Sequence, residues 1–205
     1  EPTAEAVTDM LQAAREFAEE KAVGFDGRVF LAGYSQGGYA TLAAHKSLET
    51  DPIEGFTVTA SFPGAGGYDV TEMLNYFRSL ETYEDPYYLA YVGLSYQSYY
   101  DEPSLLSNFF NEPYATRIPS LFDGVNSSGD INDGLTESIP ELVKEDILSN
   151  PQDNPLFPFL TQRFSENSLV DWTPSAPVFL YHGDADVTVP LSNSQSTYEK
   201  LIANG

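Results

Sequence analysis

The chain has no cysteine, which excludes disulfides, a thiol nucleophile and cysteine-based metal sites. Basic residues are scarce, nine against 31 acidic ones, for a formal net charge of −22. A surface so charged repels phosphate backbones and anionic membranes, so nucleic acid is not an expected partner. It suits a solvated surface that keeps a secreted or salt-adapted protein soluble, and a secreted, extracellular or periplasmic location is the expectation. No apolar run approaches the ~20 residues needed to span a bilayer. Histidine occurs only twice, as His45 and His182. Any chemistry that needs an imidazole therefore has two candidates within these residues.

Aromatic residues, in contrast, are plentiful: 14 Tyr, 13 Phe and Trp172, enough with the aliphatics to build a real core. The first informative stretch is "RVFLAGYSQGG", residues 28–38. Val29–Ala32 is a short apolar run, which predicts a strand buried on both faces in a parallel sheet. The following "GGYATLAAHKSLETDP" is rich in Ala and Leu and closes at Asp51-Pro52, so it reads as a helix over 37–50. Ser35 then stands on a sharp strand-to-helix turn. Gly33 and Gly37 are expected to lack a Cβ so that strand and helix can approach. At the helix start, the Gln36 N–H is placed to stabilise a developing oxyanion.

The second stretch is "APVFLYHGDADVTVP", residues 176–190. Val178–Tyr181 predicts a strand, an acidic turn follows, and Pro190 opens a helix over 190–203, where its missing N–H goes unneeded. A third strand is expected in "FTVTASF", residues 56–62. The three strands are predicted to be parallel neighbours, with the serine strand at one side.

Between residues 62 and 178 no clear strand is visible. Helices are predicted over 69–80, 86–100, 103–110 and 139–150, and over 155–167 with an interruption at Pro158. An insertion this long is too large for a loop and reads as a helical cap. The organisation is therefore residues 1–68 as the first part of an α/β core, 69–172 as cap and 173–205 as the last part of the core. Tyr83, Tyr87, Tyr88, Tyr91, Tyr96, Tyr99, Tyr100, Phe109, Phe110 and Tyr114 crowd the first half of the cap, as its core and as lining for an apolar ligand. "DGVNSSGDINDG", residues 123–134, fails the spacing of a calcium loop and lacks a glutamate at its twelfth position. It reads as a surface turn. No metal or other cofactor is implied.

The strand, G-x-S-x-G turn and helix around Ser35 resemble the nucleophile elbow of the α/β-hydrolases. The stretch at 176–190 resembles the segment that carries the acid of their catalytic triad. With "VTASFPGAGGYD" and "LVDWTPSAPVFLYHGDADVTVP", the chain is similar to secreted bacterial and fungal lipases and esterases with a large helical lid. The resemblance implies a partial α/β-hydrolase fold that cleaves carboxylic esters of small molecules or lipids. Ser35 would be the nucleophile, the Gln36 N–H an oxyanion donor and Asp186 the acid. Asp184, two residues earlier, is the rival and reads as a turn residue bonding its own backbone. Asp171 is a more distant third.

Neither histidine fits as the base. His45 lies ten residues beyond Ser35, within the helix that follows it, ~15 Å along the axis from the turn, and reads as a satisfied helix histidine. His182 is structural in the resembled segment. The base and the earlier strands are thus expected outside these residues, on a longer protein or a second chain. A prolyl-oligopeptidase-type peptidase shares the elbow and acid loop, but the large cap favours an esterase. A non-catalytic hydrolase-fold interaction protein is the remaining alternative, against which stand the intact serine and glycines.

Overall fold

The computed structural model describes residues 2–205. They form two compact units, one running to Met73 and resuming at Glu166–Gly205, the other Leu74–Ser165. In the first, α1 (Pro2–Glu20) leads to β1 (Arg28–Tyr34), α2 (Gln36–Thr50) and β2 (Thr57–Gly64). β1 and β2 pair in parallel from Arg28↔Thr57 to Tyr34↔Gly64, with a register shift between Val29 and Phe30. The Val178–Tyr181 segment lies along the other side of β2 through parallel bridges Ser61↔Val178 and Gly64↔Tyr181. The order is serine strand, β2, acid-loop strand, all parallel, as the sequence predicts.

The serine strand is not buried on both faces. Val29 and Leu31 pack against Ala44 and Leu48 of α2 and Val7 and Leu11 of α1. Phe30 and Tyr34 alternate to the opposite face and are 58% and 71% exposed. Phe62 stacks there on Phe179, with ring centroids 5.3 Å apart. A continuous apolar run carries no alternation, so the sequence could not separate the covered face from the open one.

α3 (Val70–Arg78) carries the chain out of the first unit and α10 (Phe157–Asn167) returns it. Between them run α4 (Pro86–Tyr99), α5 (Leu105–Phe109), α6 (Tyr114–Leu121), α7 (Ser128–Asp133), α8 (Ile139–Leu142), α9 (Glu145–Ser149) and a 3₁₀ turn, Pro151–Asp153. Three sequence expectations change here. Residues 139–150 form two helices, because Val143 turns extended and pairs antiparallel with Phe110. Pro158 sits in the first turn of α10 and does not interrupt it, since proline has no N–H to lose there. The 123–134 stretch holds a short helix, α7. Ser127 Oγ accepts the Asp130 N–H, and the Asp130 carboxylate accepts the Ser127 N–H. That capping box occupies the carboxylate the turn offered.

Of the cap aromatics, Tyr83, Phe109 and Phe110 are buried, whereas Tyr88, Tyr91 and Tyr99 are exposed.

The first unit ties together the two ends of the insertion. Ser168 Oγ accepts the Val70 and Thr71 N–H groups, and the Leu169 N–H donates to Tyr68 O. Asp69, 1% exposed, accepts the Glu72 N–H and pairs with Lys200 of α11 (Leu191–Asn204). Buried Asn193 exchanges two hydrogen bonds with the Asp69 backbone. Removing a buried acceptor strands its donors at about 2 kcal/mol. Asp69→Ala is therefore expected to lower Tm by roughly 4–8 °C, a chain of this size losing ~2–4 °C per kcal/mol. Thermal unfolding followed by circular dichroism measures it; an unchanged Tm would show the cluster to be energetically neutral.

Candidate active site

The elbow begins where β1 ends. Ser35 caps α2 with φ 57° and ψ −120°, a left-handed φ that a residue with a Cβ seldom adopts. Such strain costs about 1–3 kcal/mol and persists only where the surroundings hold it. Two hydrogen bonds and two close backbone approaches do so. The Ser35 N–H donates to Gly64 O at the end of β2 (2.8 Å), and its carbonyl accepts the Tyr39 N–H (3.1 Å). A Cβ on Gly33 would lie 2.2 Å from Gly37 O and 2.7 Å from Thr41 Oγ1. A Cβ on Gly38 would lie 2.3 Å from Gly64 O. The Ser35 side chain makes no capping hydrogen bond, and Gln36, as first residue of α2, has an N–H with no intrahelical carbonyl to pair with.

This corrects the expectation for Gly37. A Cβ there would meet nothing within 4 Å. Gly33 packs against the Gly37 carbonyl, so the close contact is made by the backbone of Gly37 and not by its missing side chain. The glycine that the sheet requires is Gly38, facing β2. The doublet Gly37-Gly38 was the only signal of this in the sequence.

Ser35 and Asp186 each follow the carboxyl end of a strand in the same parallel sheet. Asp186 Oδ1 accepts the N–H groups of both Thr188 and Val189 at 3.0 Å. Asp184 is exposed, and the backbone-turn role expected of it belongs to Asp186, whose position two and three residues before those amides matches an Asx turn. Asp171 is exposed as well.

Both histidines are already engaged. His45, fully buried, has Nδ1 2.8 Å from Ser61 Oγ and Nε2 3.0 Å from Glu49 Oε1. Its ring also meets Trp172 edge-on at 5.2 Å. Ser61, His45 and Glu49 thus make a serine–histidine–carboxylate chain, but Ser61 is fully buried and no substrate carbonyl can reach it. His182 has Nδ1 2.6 Å from Ser194 Oγ and Nε2 2.8 Å from Val189 O.

No family model and no curated protein sequence matches the chain. Solved structures do. The rice cell wall degrading esterase LipA of Xanthomonas oryzae superposes with a TM-score of 0.82 and 28% identity, over 99% of this chain and 55% of that one. The fold is that of the α/β-hydrolases. A Legionella pneumophila protein described as a hydrolase matches at TM-score 0.82 and 27% identity, over 97% of this chain and 53% of its own. Lipase A of Candida antarctica shares the fold at TM-score 0.63 and 17% identity, over 95% of this chain and 45% of that one. The chain spans about half the length of the structures it matches.

In this α/β-hydrolase core, Glu49 fixes the start of the acid-loop strand. Its carboxylate accepts the N–H groups of Ser175 (2.9 Å) and Ala176 (2.7 Å) besides that of His45. Burial alone would push the Glu49 carboxyl up, but those backbone donors and His45 outweigh it and hold it below the usual glutamate range. A depressed folded value stabilises the fold above the unfolded pKa, near 4.5. That stabilisation is lost as pH falls through the folded value. Tm is therefore expected to decline below about pH 4.5 less steeply in Glu49→Gln than in the parent. Parallel slopes would sink this assignment. Among the described residues no helix is long and apolar enough to cross a membrane.

Proposed function

We propose that this chain carries the nucleophile and acid of a serine hydrolase that cleaves carboxylic esters. The observation that carries the reading is the backbone of Ser35: a left-handed serine, clamped between Gly33 and Gly38, with a hydroxyl free of any capping bond. Strain of this kind is retained where it positions a reacting group. In the proposed step, Ser35 Oγ attacks the ester carbonyl while an imidazole accepts its proton. The tetrahedral oxyanion takes a hydrogen bond from the Gln36 N–H. Collapse breaks the ester C–O bond, the imidazolium protonates the leaving alkoxide, and water then hydrolyses the acyl-serine by the same route. Asp186 orients that imidazole and stabilises its cation.

The imidazole comes from outside these residues, since His45 and His182 are both committed. The open apolar sheet face with Phe30, Tyr34 and Phe179 supports further segments completing the sheet. The likeness to LipA supports an ester of plant cell wall material as substrate and a site of action outside the cell. The second unit is proposed as the lid.

The test is covalent labelling of the full-length protein with a fluorophosphonate, followed by peptide mapping. Modification at Ser35, lost on heat unfolding, is the expected result. Modification at another serine, or none in a folded protein that carries its histidine, would overturn the reading and favour a non-catalytic role.

A further inference from the structure

The acid loop contains a histidine that the proposed reaction leaves unused. His182 ends the acid-loop strand, and its side chain is 2% exposed. Val189 O is a carbonyl and can only accept, so Nε2 at 2.8 Å carries the proton. In the neutral ring Nδ1 is then an acceptor, filled by the Ser194 hydroxyl at 2.6 Å. Ser194 is itself buried, in the first turn of α11. One ring therefore joins the start of the acid loop, its end and the helix behind it. Within that closed loop Asp186 spends Oδ1 on the Thr188 and Val189 amides. Its Oδ2 lies 3.5 Å from His182 Nε2, too far for a strong hydrogen bond but near enough that a shift of the ring moves the carboxylate's surroundings.

We infer that His182, held by Ser194, is a positioning residue for the acid Asp186. It touches no substrate. Its donor is bound to Val189 and its acceptor to Ser194, so it holds the loop in one shape and leaves Asp186 a single arrangement from which to meet a base. Neighbouring Asn193, pinned to the Asp69 backbone, keeps the first turn of α11 from sliding. This inference rests on Asp186 being the acid.

The experiment uses the full-length protein with p-nitrophenyl butyrate, measuring kcat, KM and the pH dependence of kcat/KM for His182→Ala, Ser194→Ala, Ser194→Thr and Asp186→Asn. A displacement of about 1 Å near the reacting groups can cost on the order of 100-fold. His182→Ala and Ser194→Ala are therefore expected to lower kcat roughly 10- to 100-fold with KM within about twofold. The acidic limb of kcat/KM should move to lower pH, because a carboxylate out of place no longer favours the base's imidazolium. Ser194→Thr, which keeps the hydroxyl, should recover most of kcat. A purely structural role would lower Tm and leave the pH limb alone, and that result overturns the inference even where some kcat is lost. If Asp186→Asn collapses kcat while Ser194→Ala leaves both kcat and the limb unchanged, the acid stands and the brace falls. If Asp186→Asn is harmless, the acid assignment fails and the brace with it.

Discussion

If a longer protein supplies the base as proposed, Ser35→Ala in it is expected to lower kcat for a p-nitrophenyl ester by roughly 10⁴-fold or more, with the folded state intact. The size follows from the division of labour in such sites. Without the nucleophile, only the oxyanion donor and substrate binding remain, and these leave ~10³–10⁴-fold catalysis over water. Ser35 is a partly buried residue whose hydroxyl makes no capping bond, so alanine removes chemistry without stranding a partner. Stability should stay level or rise slightly, since the left-handed φ remains strained for alanine too. The 205 residues alone should show neither a burst of p-nitrophenol nor appreciable turnover. Of the two imidazoles, His45 bonds Ser61 and Glu49, and His182 bonds Ser194 and Val189. Robust Ser35-dependent turnover by those residues alone would mean that one of the two leaves its partners to act as base, and would sink the view that the base lies elsewhere.

The parts legible in the sequence were those written in local pattern. Apolar runs ending in glycine marked β1 and the acid-loop strand, and their parallel order followed from the helices that separate them. The Ser35 turn was readable because few other contexts place glycines on both sides of a serine between strand and helix. Long-range pairing was not readable. That Gly38 rather than Gly37 faces β2 depends on where Gly64 O sits, 26 residues further on. Ser61 of β2 closes on His45 across the sheet–helix interface, which no spacing announces, while Glu49 reaches the same ring from one turn along α2. In the second unit, Val143 breaks an otherwise helical pattern because Phe110 offers a strand-like partner, a tertiary preference that overrides local propensity. That Asp186 rather than Asp184 makes the backbone turn depends on which carboxylate reaches the Thr188 and Val189 amides, which the motif alone does not encode.

The three elbow glycines should separate sharply by stability. Gly33→Ala places a methyl 2.2 Å from Gly37 O and 2.7 Å from Thr41 Oγ1, and Gly38→Ala places one 2.3 Å from Gly64 O. Each obstacle is backbone, or is tied to backbone, since Thr41 Oγ1 bonds Gly37 O at 2.8 Å. Neither can swing aside as the tip of a long side chain would. Relief requires α2 to move off the sheet, which loosens the contacts of Ala44 and Leu48 with Val29 and Leu31. A clash this close with backbone puts the cost at the upper end of the ~1–3 kcal/mol typical of overpacking, or roughly 6–12 °C in Tm for a chain of this length. It should also lower activity beyond the loss of folded protein, because α2 carries both Ser35 and the Gln36 N–H. Gly37→Ala meets open space and sits in a helix, where alanine is the better former. Its Tm should change by less than about 2 °C, in keeping with the ±0.5 kcal/mol typical of sites away from close packing. Differential scanning calorimetry on the three variants decides it. A Gly37→Ala loss as large as that of Gly38→Ala would restore the simple reading of the motif, in which the glycine two places after the serine is the one that must stay bare.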